Sequence, residues 1–425
     1  MTNKSLKHNA SWAIGGNVFF AVGRLLIIMF LAKAFGKDSA TVGRFMFAIA
    51  VATPLAVLFN LESRSVYVTD ARDEISIGHY FSLRIISNIF YLIAMAIICM
   101  TLSKHWGKQK TILVMLMGGV RAAESICDIF LSVLQKKEQM KYWAVSQSLK
   151  TGSVLVLAAA IWIFDIKHIW IIPVGWLIMT AIVGYCFDHR KASKFTDFNL
   201  QWDHNIAKKI LNKALPMGLF VTLSSFNSQI GQYFIEWRLT DQHVAYFGAM
   251  LHFMAGPMAI QNGFNQALLP RLAKYYHENL TAFIVLLTKL IVISSIAMAG
   301  MLVIFHFWAA DILTLIYTEE YAAYSNLLFL AGIAGCFILF SMILGDAVIA
   351  AQRFKGRLLA IIVGLAINIA ICTLVNETRG IEPAAYAMAA GALAVVIVCA
   401  IVLGVAIGQM GSADADLKGN PNEKK

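Results

Sequence analysis

The sequence predicts an all-α polytopic membrane protein, with twelve transmembrane helices in two six-helix lobes and both termini in the cytoplasm. Three observations predict this. The 425 residues are 59% hydrophobic and only 14% charged, with a mean hydropathy of +0.70, whereas a soluble domain carries about a quarter charged residues. Apolar runs of 18 to 24 residues recur along the whole chain. That length lets a helix cross about 30 Å of hydrocarbon with its backbone groups satisfied internally; barrel strands would alternate instead. The third observation is an uneven distribution of Lys and Arg among the connections.

The expected spans are 12–34, 42–61, 80–102, 111–134, 145–164, 169–187, 214–236, 244–267, 282–306, 324–348, 358–375 and 384–407. The first contains Arg24 and is followed by Ala32-Lys33-Ala34, which superficially resembles a signal-peptidase site. The run is long enough to span and is read as a retained helix. Short aromatic-flanked hairpins are expected at Asp165–His168 and Trp237–His243. The longest connection, Asp188–Lys213, divides the chain into lobes at 1–200 and 201–410. Within it Trp202, Ile206 and Ile210 recur at helical spacing beside Lys208, Lys209 and Lys213, the pattern of an interfacial amphipathic helix. A faint parallel repeat supports two lobes: the first and seventh spans open with Asn-x5-Gly (Asn9, Gly15; Asn212, Gly218), and the second and eighth carry Pro54 and Pro257. The tail 411–425 is polar and expected to be disordered.

Twelve spans place both termini on one side. The segments on that side hold 21 Lys and Arg and the opposite side holds 7, with the rest inside or at the ends of spans. This asymmetry puts the termini in the cytoplasm, so the net charge of +11 reflects topology and attraction to anionic lipid heads, with no reason to invoke nucleic acid.

The organising stretch is Arg121–Met140. At about 100° per residue Arg121, Glu124, Asp128 and Gln135 fall within roughly 60° of one another, so one polar face runs from mid-span to the exit. Charges at that depth face a bundle interior or a wet cavity. Arg24 lies at similar depth in the first span, with Asn17 one heptad earlier. Two midplane arginines would make a cationic cavity if they share it. Otherwise Arg121 is a structural partner of Glu124 or Asp128. Arg84, Arg44 and Lys33 stand near span ends, where snorkelling accounts for them. In the second half Gln261 and Asn265, and Asn262 and Gln266, form two i, i+4 amide rows, suited either to a hydroxyl-rich ligand or to helix packing. Lys289 in the ninth span joins Glu124 and Asp128 as a gating or structural charge.

The six cysteines lie in apolar spans with no CxxC spacing, and the ten histidines show no ligand spacing, so no metal site is expected. There is no GxxxxGK[ST] loop for ATP and no nucleophile, base and orienter set, so the chain is expected to be neither an ATPase nor an enzyme, and no cofactor is expected.

Several stretches carry a resemblance: Tyr67-Val68-Thr69-Asp70; Glu124-Ser125 and Asp128 followed by Gln135-Lys136-Lys137-Glu138-Gln139-Met140; and Leu215-Pro216-Met217-Gly218. They continue with Ala267-Leu268-Leu269-Pro270-Arg271-Leu272-Ala273-Lys274-Tyr275-Tyr276, then Asp311 to Tyr317 with Glu319-Glu320-Tyr321. In order and placement the chain resembles the Wzx-type O-antigen and polysaccharide flippases of the multidrug/oligosaccharidyl-lipid/polysaccharide exporter superfamily. The resemblance implies a bacterial inner-membrane protein that moves an undecaprenyl-diphosphate-linked oligosaccharide to the periplasmic leaflet by alternating access. It implies a lipid-linked oligosaccharide and membrane lipids as partners, with a polysaccharide polymerase, a chain-length regulator and a coupling ion as further candidates. Arginine suits a diphosphate head through both charge and fork geometry. The competing readings are a multidrug or organic-cation antiporter, a peptidoglycan-precursor flippase, and a polysaccharide polymerase or ligase. The antiporter reading lacks its usual first-span carboxylate, the precursor flippase would have two more helices, and the enzyme would need a large outer loop. The longest outer loop expected here is Trp308–Ala323.

Overall fold

The computed structural model describes residues 3–36, 38–70, 74–374 and 380–419, with side chains left aside at 3–8, 10, 262–267, 270 and 411–419. Every regular element among them is helical: α1 (Asn3–Phe35), α2 (Ser39–Asn60), α3 (Ser63–Thr69), α4 (Ile77–Lys136), α5 (Met140–Ile163), α6 (Ile171–Val183), a π-turn (Gly184–His189), α7 (Arg190–Ala192), α8 (His204–Arg238), α9 (Asp241–Glu278), α10 (Leu280–Ile316), α11 (Glu319–Ala322), α12 (Ser325–Ala350), α13 (Phe354–Leu374) and α14 (Glu382–Gly419). The chain is a multi-pass all-α membrane protein. Nine of the described helices are long and apolar enough to cross a bilayer. α4 counts once among them, yet Gly107 interrupts it at φ 74°, ψ 165°, a conformation glycine adopts without penalty. Across that break Asn88 donates to the Ala122 carbonyl (3.3 Å) and Met95 packs on Gly118, so the two arms run antiparallel. α8 and α9 occupy the seventh and eighth expected spans, their hydropathy lowered by amides and charges. Large apolar side chains such as Met100 (75% exposed) and Leu374 (81%) look outward, as a lipid-facing belt requires.

One compact unit comprises Met1–Ile260 with Ala310–Ser325. In it α1 packs along α5, while α2 packs against both α4 and α8. Small residues allow the close approach: a Cβ on Gly43 would run into the Asp241 carbonyl, so only glycine lets α2 meet the start of α9. A buried cluster of Tyr67, Tyr80, Ile129, Phe130, Val133, Leu134 and Trp143 binds α3, α4 and α5, and Lys136 sits 4.3 Å over the Tyr67 ring. Two of the stretches that carry the family resemblance thus touch. The second unit comprises Gln261–Ala309 with Asn326–Lys425 and is centred on Phe283, Ile343, Ala347, Ala360 and Cys399. Within it α13 and α14 cross backbone to backbone, a Cβ on either Gly364 or Gly391 falling 2.7 Å from the other's carbonyl.

Several local expectations are corrected. The connection expected at 308–323 is mostly helical, because α10 continues to Ile316 and α11 follows. Residues 204–213 are the opening turns of α8, continuous through Pro216 and capped by the Asp203 carboxylate on the Asn205 and Ile206 amides (2.7 and 3.1 Å). Arg84 does not snorkel. It is 2% exposed and donates to Ser63 (2.8 Å) and Ser125 (3.3 Å), because the α4 hairpin buries what a linear count places near a span end. Arg44 and Lys33 are also engaged, with the Asp241 carboxylate (2.8 Å) and the Leu315 carbonyl (3.0 Å) respectively. Five cysteines are buried and Cys186 is exposed. Lys37, Arg72, Arg379 and the end of the expected disordered tail lie outside the described residues.

Candidate functional site

The polar face expected on 121–135 lines a cavity of about 290 Å³ inside the first unit, walled by Phe20 of α1, Thr53 and Asn60 of α2, Arg121, Glu124, Ser125 and Asp128 of α4, and Gln147 and Lys150 of α5. Arg121 donates to Glu124 at 2.5 Å and lies 5.6 Å over the Trp176 ring, whose Nε1–H donates to the other Glu124 oxygen at 3.0 Å. Its Nε and Nη2 are buried without a hydrogen-bond partner among the described residues. Unsatisfied N–H groups on a buried guanidinium are costly, and they are the donors that an anionic guest would satisfy.

Asp128 pairs with Arg64 and stands 3.8 Å from Arg84, while Arg64 also holds Gln135 through two bonds (2.9 and 2.7 Å). Lys150 pairs with Asp188 at 2.6 Å. The wall is therefore mixed in sign and not purely cationic. Of the charged residues that line the cavity, Arg121 and Lys150 stand against Glu124 and Asp128, so the lining itself is balanced. A further cation, Arg24, lies nearby. Its guanidinium lies 5.2 Å over Phe20 and close enough to Arg121 and Glu124 to feel both charges, yet no carboxylate among the described residues forms an ion pair with it. Asn17 is half-buried one heptad away on the same helix.

The second-half candidates are less gathered. Gln261 is buried and accepts from Ser294 at 3.2 Å. Asn265 belongs to α9, but its side chain lies outside the described residues, as do Asn262 and Gln266. Lys289 is exposed on α10 and pairs with no carboxylate among the described residues.

Sequence reasoning missed three features. His252 of α9 lies near enough to Arg24 to feel its charge, with Nδ1 on the Gly248 carbonyl (2.7 Å). Lys150 and Asp188 form a pair no sequence spacing announces. A third feature is a polar and aromatic cluster at the other end of the unit. There Lys110 contacts Glu236 (2.9 Å) and Asp241 (2.6 Å), Arg44 holds Asp241 and Gln109 (2.8 and 2.5 Å), and Tyr246 stacks on Tyr324 (4.5 Å) and meets Tyr321 edge-on. Span-end charges in distant helices, each weak as a signal, converge there.

Residues 6–276 match the model of a family described as polysaccharide biosynthesis protein. The capsular polysaccharide biosynthesis protein CapF of Staphylococcus aureus is 24% identical over 351 residues, which is 82% of this chain and 86% of the relative. Among solved structures, the lipid II flippase MurJ in an inward closed conformation superposes with a TM-score of 0.73 at 14% identity, over 92% of this chain and 86% of that one. An inward-facing multidrug resistance MATE family transporter of the MOP superfamily reaches 0.68 at 14% identity, over 93% and 96%. The fold is that of these transporters.

Proposed function

Since the chain belongs to the polysaccharide biosynthesis protein family, we propose that it is a flippase that carries an undecaprenyl-diphosphate-linked oligosaccharide from the cytoplasmic to the periplasmic leaflet by alternating access. The observation that carries the reading is the N-terminal cavity, where Arg121 presents the unpartnered N–H groups of its Nε and Nη2, with a further cation, Arg24, close to Arg121 and Glu124. A diphosphate cannot cross about 30 Å of hydrocarbon unshielded, whereas its lipid tail can remain in the bilayer.

The twelve-span topology with cytoplasmic termini and two six-helix lobes belongs to the same proposal. The Lys110–Glu236–Asp241–Arg44 cluster joins α2 and α4 to α8 and α9. In the proposed topology these residues lie at the periplasmic end, and their pairing supports a state closed on that side. Labelling checks the orientation. Single cysteines at Lys108 and Lys167 should react with an impermeant thiol reagent on intact spheroplasts, and cysteines at Lys194 and Arg353 should not. Outside labelling at Lys194 would overturn it.

Function is tested by deletion. Loss of the protein should remove surface glycan and leave lipid-linked oligosaccharide accumulating on the cytoplasmic leaflet, with sensitivity to cationic drugs unchanged. Intact glycan together with retention of a cationic dye would favour the antiporter instead.

A further inference from the structure

We infer that Lys150 is a diphosphate-binding residue held in reserve: Asp188 stores its ammonium at the cavity wall and releases it to the phosphoryl oxygens of an arriving substrate. The inference rests on the flippase reading and adds to it a residue that neither the polar face of α4 nor the family stretches point to.

Lys150 is 6% exposed and lines the cavity beside Gln147, one turn earlier on α5. Its Nζ lies 2.6 Å from Asp188 Oδ2, and Glu124 is near enough for its charge to be felt. Asp188 is fully buried, and its second oxygen has no partner among the described residues. A scaffold pair would be expected to satisfy that oxygen, since a half-satisfied buried ion pair is commonly no more stable than an apolar replacement. The carboxylate sits in the π-turn Gly184–His189, a wide turn that interrupts helical register and recurs at functional sites. Gly184 there packs directly on the Cys127 side chain of α4, which fixes the turn against the cavity wall.

The surroundings provide for the exchange. Ser146 lies beside Asp188, but its hydroxyl, like that of Thr180, makes no hydrogen bond of good geometry among the described residues. When the ammonium leaves, the Ser146 hydroxyl can donate to the carboxylate. Lysine suits this task better than arginine: a compact charge on a flexible four-carbon stem can swing between two anions, whereas a guanidinium fork is fixed in one geometry. Arg121 and Arg24 then supply the static cations, and Lys150 the mobile one.

The test uses the full-length protein in lipid nanodiscs, with binding of undecaprenyl diphosphate, undecaprenyl monophosphate and inorganic pyrophosphate measured by calorimetry. The double variant Lys150→Gln/Asp188→Asn leaves no unpaired buried charge. It should match wild-type yield and monodispersity, yet bind undecaprenyl diphosphate on the order of tenfold more weakly, the loss of one charge-assisted bond. Asp188→Asn alone removes the competitor and should tighten binding severalfold. The preference for diphosphate over monophosphate should shrink in the double variant, and inorganic pyrophosphate separates headgroup recognition from binding that requires the lipid. Wild-type affinity in the double variant, or unchanged or weaker affinity in Asp188→Asn, overturns the inference while leaving the flippase reading standing. A wild-type protein that binds none of the three ligands fails the flippase reading itself, and the inference falls with it.

Discussion

Arg24→Ala should abolish surface glycan export while membrane abundance stays at the wild-type level. Arg24 forms no ion pair with a described carboxylate, and its visible contact is the Phe20 ring at 5.2 Å, worth about 0.5 to 2 kcal/mol. Removing it therefore leaves no orphaned carboxylate behind, and the folded state loses little. The substrate loses a cation near the cavity that no carboxylate among the described residues pairs. A bidentate arginine–phosphate contact is a strong charge-assisted interaction, so loss of binding on the order of a hundredfold is expected. Arg24→Lys should retain part of the export, since charge survives and the fork does not. Quantitative immunoblotting of membranes beside surface-glycan staining separates the two effects.

Arg121→Ala should behave differently, lowering the amount of folded protein as well as export. It strands Glu124, which loses its 2.5 Å partner and keeps only the Trp176 Nε1–H. Breaking a fully buried pair costs roughly 3 to 5 kcal/mol; Glu124 is 28% exposed at its side chain and retains one donor, so about 2 to 3 kcal/mol is expected here. Arg121→Ala/Glu124→Gln should restore abundance. If Arg121 also serves the substrate, as its free Nε and Nη2 indicate, export should stay low in the double variant. Recovery of both abundance and export would show Arg121 to be scaffolding and leave Arg24 and Lys150 as the substrate-facing cations.

Much of the fold was legible because membrane helices announce themselves by length and apolarity: each expected segment overlaps a described helix, two of them sharing α4 and one running from α6 into the π-turn. The polar face of α4 was legible for a related reason. Residues at i, i+3, i+4 and i+7 share a face whatever packs against it, and Arg121, Glu124, Ser125 and Asp128 do share one cavity wall. Contacts between distant helices were not legible. Arg84 reads as a span-end residue until the α4 hairpin folds Ser125 onto it. Asp188 reads as the start of a polar linker until a π-turn carries it inward to Lys150, 38 positions away. Helical periodicity assumes 3.6 residues per turn, and a π-turn breaks that assumption. Lys110, Glu236, Asp241 and Arg44 each count as loop or span-end charges in a topology tally, which cannot show that they converge.

The measurement that tests the central claim most directly is transbilayer movement of an undecaprenyl-diphosphate-linked oligosaccharide in proteoliposomes of the purified protein, read by access of an external lectin to the sugar. Wild-type vesicles should expose inner-leaflet sugar to the lectin over time, and vesicles carrying Arg24→Ala should match protein-free liposomes. Equal movement by wild type and Arg24→Ala, or no movement by wild type, would contradict the account.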